Sequence, residues 1–300
     1  MLRLLSGLAL VAAAGLALGY GLTRPRPLPA ADLAGLTGDP AAGERVFWAS
    51  GCASCHAAPG AKDADRLVLS GGMRLASPFG TFVAPNISPD PDHGIGGWSL
   101  QDFASAMKRG VSPEGTHLYP AFPYTTYTRM ELQDIADLKA FMDTLPASDR
   151  PNAPHEIGFP FNQRILLGPW KLLNLDSAWV MAGPPDAETA RGRYLVEAMG
   201  HCAECHTTRN PIGGLDLGRW MGGAPNPSGK GRIPNITPAA LDWSAGDIAY
   251  YLKSGFTPDF DSAGGEMSEV VTNLAHLPDA DLAAIAAYVK ALPPVAQSTP

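Results

Sequence analysis

The feature that most constrains this chain is that it is written twice. Gly43-Glu44-Arg45-Val46-Phe47 precedes Cys52, and Gly192-Arg193-Tyr194-Leu195-Val196 precedes Cys202. Pro85-Asn86-Ile87-Ser88-Pro89 returns 149 residues later as Pro234-Asn235-Ile236-Thr237-Pro238. Trp98-Ser99, with Asp102, Lys108, Gly110 and Pro113, returns as Trp243-Ser244 with Asp247, Lys253, Gly255 and Pro258, each 145 residues on. Phe141, Leu145 and Pro146 return as Tyr288, Leu292 and Pro293 after 147 residues. Constant order at nearly constant spacing marks two copies of one unit. We place the copies at 38–147 and 186–295, with a Pro-containing linker, 148–185, between them.

Each copy reads as short helices. Asp39 followed by Pro40 is an N-cap with proline at the first helical position, opening a helix through Trp48. Asp186 caps the equivalent helix, with Glu188 in its first turn. Ser99-x-x-Asp102 and Ser244-x-x-Asp247 are capping boxes with Asp in place of Glu, and Gly110 and Gly255 end the helices they start. Ile135, Leu138 and Met142, and then Leu282, Ile285 and Val289, recur at helical spacing. Strand signals are nearly absent, while 33 Gly and 29 Pro demand many turns. The fold class predicted is mostly α, two tandem units with Pro/Gly-rich loops.

The four cysteines are all spent on one motif. Cys52-Ala53-Ser54-Cys55-His56 and Cys202-Ala203-Glu204-Cys205-His206 are both C-x-x-C-H, the attachment signature of c-type haem. Two thiols three residues apart on one helical turn can add to the two vinyl groups of one porphyrin, and the following histidine can ligate the iron. Two covalently attached haem c groups are therefore expected, on Cys52, Cys55 and His56 and on Cys202, Cys205 and His206. A zinc site would gather ligands from both pairs, which lie 150 residues apart, and a redox C-x-x-C does not require the histidine.

A sixth ligand is expected from the loop before the last helix of each unit. In the second unit Gly264-Gly265-Glu266-Met267 lies there and Met267 is the candidate. A thioether on iron raises its potential, and the bland alternative is a methionine filling the core. In the first unit the corresponding loop carries Phe122, which cannot ligate iron. The candidates there, in order, are Met130, His117 and Met73, then an open iron, although Met130 aligns with Leu277. Trp98 and Trp243 read either as lining the haem edge or donating to a propionate, or as staples beside the capping boxes. Asn86 and Asn235 read as holding the Pro-rich loop against the porphyrin, or as ordinary turn chemistry. His93, His155, His201 and His276 have no partner pattern and are expected at the surface.

Residues 1–31 form an export segment with its linker. After Arg3 come nineteen uncharged residues, Leu4 to Leu22, at the boundary between a cleaved signal peptide and a membrane anchor. Either way the rest is exported to the periplasm. Arg24 and Arg26 just beyond oppose the anchor under the positive-inside rule. The apolar run Ile165 to Leu175 in the linker reads as a strap across the interface, with a docking surface for a partner or the membrane as the sharper alternative. With 22 basic and 29 acidic residues, a net charge of −7, the chain is no nucleic-acid binder.

These motifs carry a resemblance. Gly71-Gly72-Met73-Arg74-Leu75-Ala76-Ser77-Pro78-Phe79-Gly80-Thr81, the Pro-Asn-Ile-Ser-Pro-Asp of 85–90, the Gly-Ile-Gly-Gly-Trp-Ser of 94–99 and the Leu-Tyr-Pro-Ala-Phe-Pro-Tyr of 118–124 resemble the cytochrome c subunits of bacterial membrane-bound alcohol, gluconate and aldehyde dehydrogenases. The resemblance covers nearly all of 38–295. It implies two class I cytochrome c domains, His56 and His206 as proximal ligands and Met267 as a distal one. Two departures stand out: the alcohol and gluconate subunits carry three haems, and the alcohol-type loop has Met where this chain has Phe122. The function expected is electron transfer from an upstream periplasmic dehydrogenase to an oxidase, quinone or small cytochrome. The rival is an enzyme, a dihaem peroxidase or thiosulfate oxidoreductase working at an open first haem.

Overall fold

The computed structural model describes residues 2–226 and 231–296. A long apolar helix, α1 (Leu2–Thr23), leads into the body. The N-terminal half then builds α2 (Pro40–Ala49), α3 (Cys52–His56), the hairpin strands β1 (Arg74–Ser77) and β2 (Gly80–Val83), α4 (Leu100–Arg109), the single turn α5 (Tyr124–Tyr127) and α6 (Leu132–Met142). Between the halves lie β3 (Glu156–Ile157) and α7 (Leu167–Asn174). The C-terminal half repeats the order: α8 (Ala187–Tyr194), continued by a π-turn over Leu195–Met199, then α9 (Cys202–His206), β4 (Ala224–Pro225), β5 (Arg232–Ile233), α10 (Ala245–Ser254), α11 (Glu266–Leu274) and α12 (Asp279–Ala291).

The caps read from the sequence are in place. The Asp39 carboxylate accepts from the Ala41 N–H with Pro40 behind it, and Asp186 accepts from Thr189. Ser99 with Asp102, and Ser244 with Asp247, form reciprocal capping boxes. Gly110 (φ 56°) and Gly255 (φ 80°) end α4 and α10 in the left-handed region that favours glycine. In each half the first helix crosses the last at backbone contact. A Cβ on Gly43 would stand 1.9 Å from the Asp137 carbonyl of α6, and one on Gly192 would stand 1.8 Å from the Ala284 carbonyl of α12. The residues read at helical spacing, Ile135, Leu138 and Met142 on α6 and Leu282, Ile285 and Val289 on α12, are all buried. One hydrophobic cluster runs unbroken from Leu28 to Leu292 through both halves.

The strands are a departure from the expectation, and they are short. Leu75 faces Phe82 across β1–β2, and β3 from the linker adds to the hairpin edge through Gly80 and Ile157. The linker is thus tied to both halves. At its far end, the fully buried Glu197 carboxylate accepts from the Val180 and Met181 N–H groups and from the Tyr288 hydroxyl (2.6, 3.0 and 2.7 Å). Replacing Glu197 by Ala strands one buried and two part-buried donors, so a stability loss of about 3 kcal/mol is expected in chemical denaturation. An unchanged midpoint would show that the linker is not fastened there.

Candidate haem-attachment site

Each attachment motif forms one short helix, α3 or α9, entered from a tight turn. Gly51 before α3 is left-handed (φ 63°). All four thiols are free of disulfides. Burial pushes Cys52 up to about 12 and Cys55, Cys202 and Cys205 up to about 11. Among the described residues no group of three or more His, Cys, Asp or Glu is arranged to hold a metal ion on its own.

The two histidines are set identically. His56 Nδ1 lies 2.8 Å from the Pro85 carbonyl, and His206 Nδ1 lies 2.8 Å from the Pro234 carbonyl. A carbonyl is only an acceptor, so Nδ1 carries the proton and Nε2 is left as a lone-pair donor. Burial holds both imidazoles below their ordinary range, hence neutral. A pair of unpaired thiols on one turn, followed by an imidazole with its Nε2 held ready, fits a haem linked through thioethers with one axial histidine.

The machinery holding each histidine is only partly legible in the sequence. Gly71 N–H donates to the His56 carbonyl (2.7 Å), and Gly223 N–H donates to the His206 carbonyl (2.8 Å). Both glycines have positive φ (69° and 82°), and a Cβ on Gly71 would meet Pro85 at 2.4 Å. Asn86 and Asn235 are buried, but their amides bond to protein. Asn86 Nδ2 donates to the Ser148 and Arg150 carbonyls and its Oδ1 accepts from Ser88; Asn235 donates to the Val295 carbonyl and accepts from Thr237. They pin the proline loop to the chain that follows α6 or α12. The proline carbonyl, not the asparagine, is what touches the histidine.

The remaining candidates are placed as follows. Met267 is half-buried at the second position of α11. Met130 is 1% exposed inside the core. Lys108 Nζ donates to the Met130 carbonyl as Lys253 Nζ does to that of Leu277, so the two positions correspond. His117 Nε2 is engaged with the Thr23 carbonyl (2.9 Å) at the end of α1. Met73 lies beside the support of His56, its carbonyl accepting from Ala84 N–H. Phe122 packs against the core with its ring 5.7 Å from that of Tyr127. Trp98 and Trp243 are half-buried against the core beside their capping boxes, with Trp243 edge-on to Tyr251 (5.2 Å).

The histidines expected at the surface need correction in two cases, His155 and His201. His155 Nδ1 accepts from Val83 N–H (3.1 Å), and its ring meets Phe82 and Tyr119. His276 is exposed as expected, and it also stacks on Trp48 at 3.8 Å. His201 Nε2 lies 3.4 Å from where a Cβ on Gly51 would be, placing the entrance of α9 against that of α3. These contacts join segments far apart in sequence, which no local pattern reports.

The two motifs are brought close together. Glu266 raises both Cys55 and Cys205 by its charge. Asn273 Nδ2 donates to Ser54 Oγ inside the first motif (2.5 Å), and Arg66 bridges Asn273 (2.9 Å) and Glu269 (2.5 Å). Thr125 of α5 donates to Glu204 inside the second motif (3.3 Å).

Comparison with known proteins agrees with this geometry. Residues 40–146 match the family model described as Cytochrome c. A "Diheme cytochrome c-type" protein of Cereibacter sphaeroides is 62% identical over 97% of this chain and 98% of its own length. The fructose dehydrogenase cytochrome subunit of Gluconobacter japonicus is 36% identical over 85% of this chain and 53% of that subunit. The cytochrome c subunit of a quinone alcohol dehydrogenase from Gluconobacter oxydans is 36% identical over 84% and 54%. The chain thus spans about half the length of these dehydrogenase subunits. With free paired thiols, proline-held histidines and a relative matched end to end, this chain belongs to the cytochrome c family, as a relative of the dihaem c-type cytochromes.

Proposed function

We propose that this protein is a periplasmic dihaem electron carrier built of two cytochrome c domains, 38–147 and 186–295. In this reading it takes electrons from a dehydrogenase and delivers them to an oxidase, a quinone or a small cytochrome. Cys52 and Cys55 hold one haem c and Cys202 and Cys205 the other, with His56 and His206 as proximal ligands. The haems supply reversible one-electron chemistry. The chain's own part is to fix each imidazole tautomer through Pro85 and Pro234 and to hold the two attachment helices together. The observation that carries the reading is the pair of 2.8 Å His–proline contacts on C-x-x-C-H helices. The relatives that are dehydrogenase cytochrome subunits support a dehydrogenase as upstream partner. Residues 4–22 serve in this reading as a retained anchor. α1 has nineteen consecutive residues apolar enough to span a bilayer, none of that stretch buried.

A redox-titrated visible spectrum with a pyridine haemochrome count tests the reading: two haems per chain are expected, and a colourless exported protein would overturn it. In stopped flow, a cognate dehydrogenase is expected to reduce the protein faster than a non-cognate one.

The halves differ on the distal side. Met267 of the second half corresponds to Phe122 of the first, and Met130 occupies a core position that Leu277 fills in the other half. We therefore assign Met267 as the distal ligand of the second haem and no side-chain ligand to the first. Ferrous protein is expected to bind CO at one haem, and Met267→Ala at both. The same substitution is expected to lower one midpoint potential by about 0.1–0.2 V, part of the ~0.8 V that axial ligation spans. Loss of CO binding in Phe122→Met would support the assignment; a native protein inert to CO would refute it. Phe122 is also the one feature favouring the second reading, peroxide or thiosulfate chemistry at the first haem, which turnover assays would reveal.

A further inference from the structure

A cleft lies away from both attachment motifs, at the foot of α1. It has a volume of about 760 Å³. Six basic side chains line it, Arg24, Arg26, Lys108, Arg109, Arg129 and Lys171, and no Asp or Glu does. This is unexpected in a chain of net charge −7. None of the six is in a salt bridge among the described residues. Their hydrogen bonds go to backbone carbonyls: Lys171 Nζ to Arg109 and Gly110, Lys108 Nζ to Thr128 and Met130, Arg109 to Pro27, Arg129 to Ala178, and Arg26 to Gly21. Burial lowers Lys171 to about 7 and Arg129 feels the charges of Glu197 and Asp176, whereas the carbonyls that Arg26, Lys108 and Arg109 meet orient those cations without neutralising them; with Arg24 they leave a site for an anion.

The setting says which anion. The last residue of α1 is fixed to the body: His117 Nε2 meets the Thr23 carbonyl at 2.9 Å, and a Cβ on Gly168 of α7 would stand 2.4 Å from the same carbonyl. α7 and the turn before it therefore lie where α1 leaves the bilayer. There Ile165, Leu166, Leu172 and Leu173 are 50–75% exposed. Apolar side chains beside a ring of cations, next to a spanning helix, match the layering of acyl chain and headgroup at a membrane surface.

We propose that this cleft binds the phosphate of an anionic phospholipid headgroup, with the α7 leucines set among the acyl chains. The inference rests on the reading of α1 as a retained anchor. It also gives Arg24 and Arg26, which sit on the wrong side for a positive-inside anchor, a local counter-charge.

The test is native mass spectrometry of the full-length haem-loaded protein in a mild nonionic detergent, titrated with dioleoylphosphatidylglycerol, dioleoylphosphatidylcholine or inorganic phosphate. Phosphatidylglycerol is expected to be retained at least tenfold better than phosphatidylcholine, and millimolar phosphate is expected not to displace it. The double variant Arg24→Gln/Arg26→Gln should weaken that retention roughly 20-fold. Leu172→Ser/Leu173→Ser should weaken both lipids, and because it removes no basic group it keeps the test valid if the arginine variant misfolds. Equal retention of the two lipids would overturn the proposal, as would displacement by phosphate, which marks a free-anion site. The same spectra report the N-terminus. Loss of residues 1–31 would sink the anchor reading and the inference together, whereas an intact chain without lipid preference would sink the inference alone.

Discussion

Replacing Cys202 and Cys205 together by serine is expected to leave a chain that carries one haem instead of two, as read by a pyridine haemochrome assay and by intact mass. The Cys52→Ser/Cys55→Ser chain should show the mirror result, losing the other centre. The expectation follows from two pairs of thiols that make no disulfide and that each share one helical turn with a histidine held by a proline carbonyl. The two variants also separate the centres. Cys52→Ser/Cys55→Ser should be silent to CO in the ferrous state and Cys202→Ser/Cys205→Ser reactive, if Met267 would ligate the second iron and no side chain the first. Two haems in either variant would mean that attachment is elsewhere.

Gly192→Ala is expected to destabilise the protein by about 3 kcal/mol, the upper end for overpacking, because the new methyl would stand 1.8 Å from the Ala284 carbonyl. Helices α8 and α12 would have to separate. The melting temperature should fall by roughly 10 °C, and Gly43→Ala, 1.9 Å from the Asp137 carbonyl, should behave alike. Gly246→Ala on α10 is the control. Its Cβ would meet nothing closer than Ser244 Oγ at 3.6 Å, so it should be neutral or stabilise by up to about 1 kcal/mol. Equal melting points for Gly192→Ala and Gly246→Ala would mean that the crossing is not close-packed.

What the sequence makes legible is what lies in short-range pattern. The caps at Asp39, Ser99, Asp186 and Ser244 each place an acceptor within three residues of the N–H it serves, so their signal is local. The C-x-x-C-H motifs are likewise complete within one helical turn. Gly43 recurring as Gly192 stands out when the halves are set side by side, although the helix that crosses there lies about ninety residues away in the chain. The proline carbonyls at 85 and 234 are illegible because a backbone acceptor has no residue identity. The repeated Pro-Asn-Ile-Ser/Thr-Pro points to the right loop without naming the carbonyl in it that meets the histidine. His201, His276 and the cationic cleft are assembled from segments tens to hundreds of residues apart. The four-residue strands fall below the length at which alternation can be distinguished from chance.

The unbroken hydrophobic cluster that joins the two halves, reinforced by Arg66, Asn273 and Ser54, leaves no hinge between them among the described residues. The gap an electron must cross inside the protein is therefore set once, when the chain folds. That internal hop should be indifferent to solvent viscosity and salt, and only the hand-offs at either end should feel them.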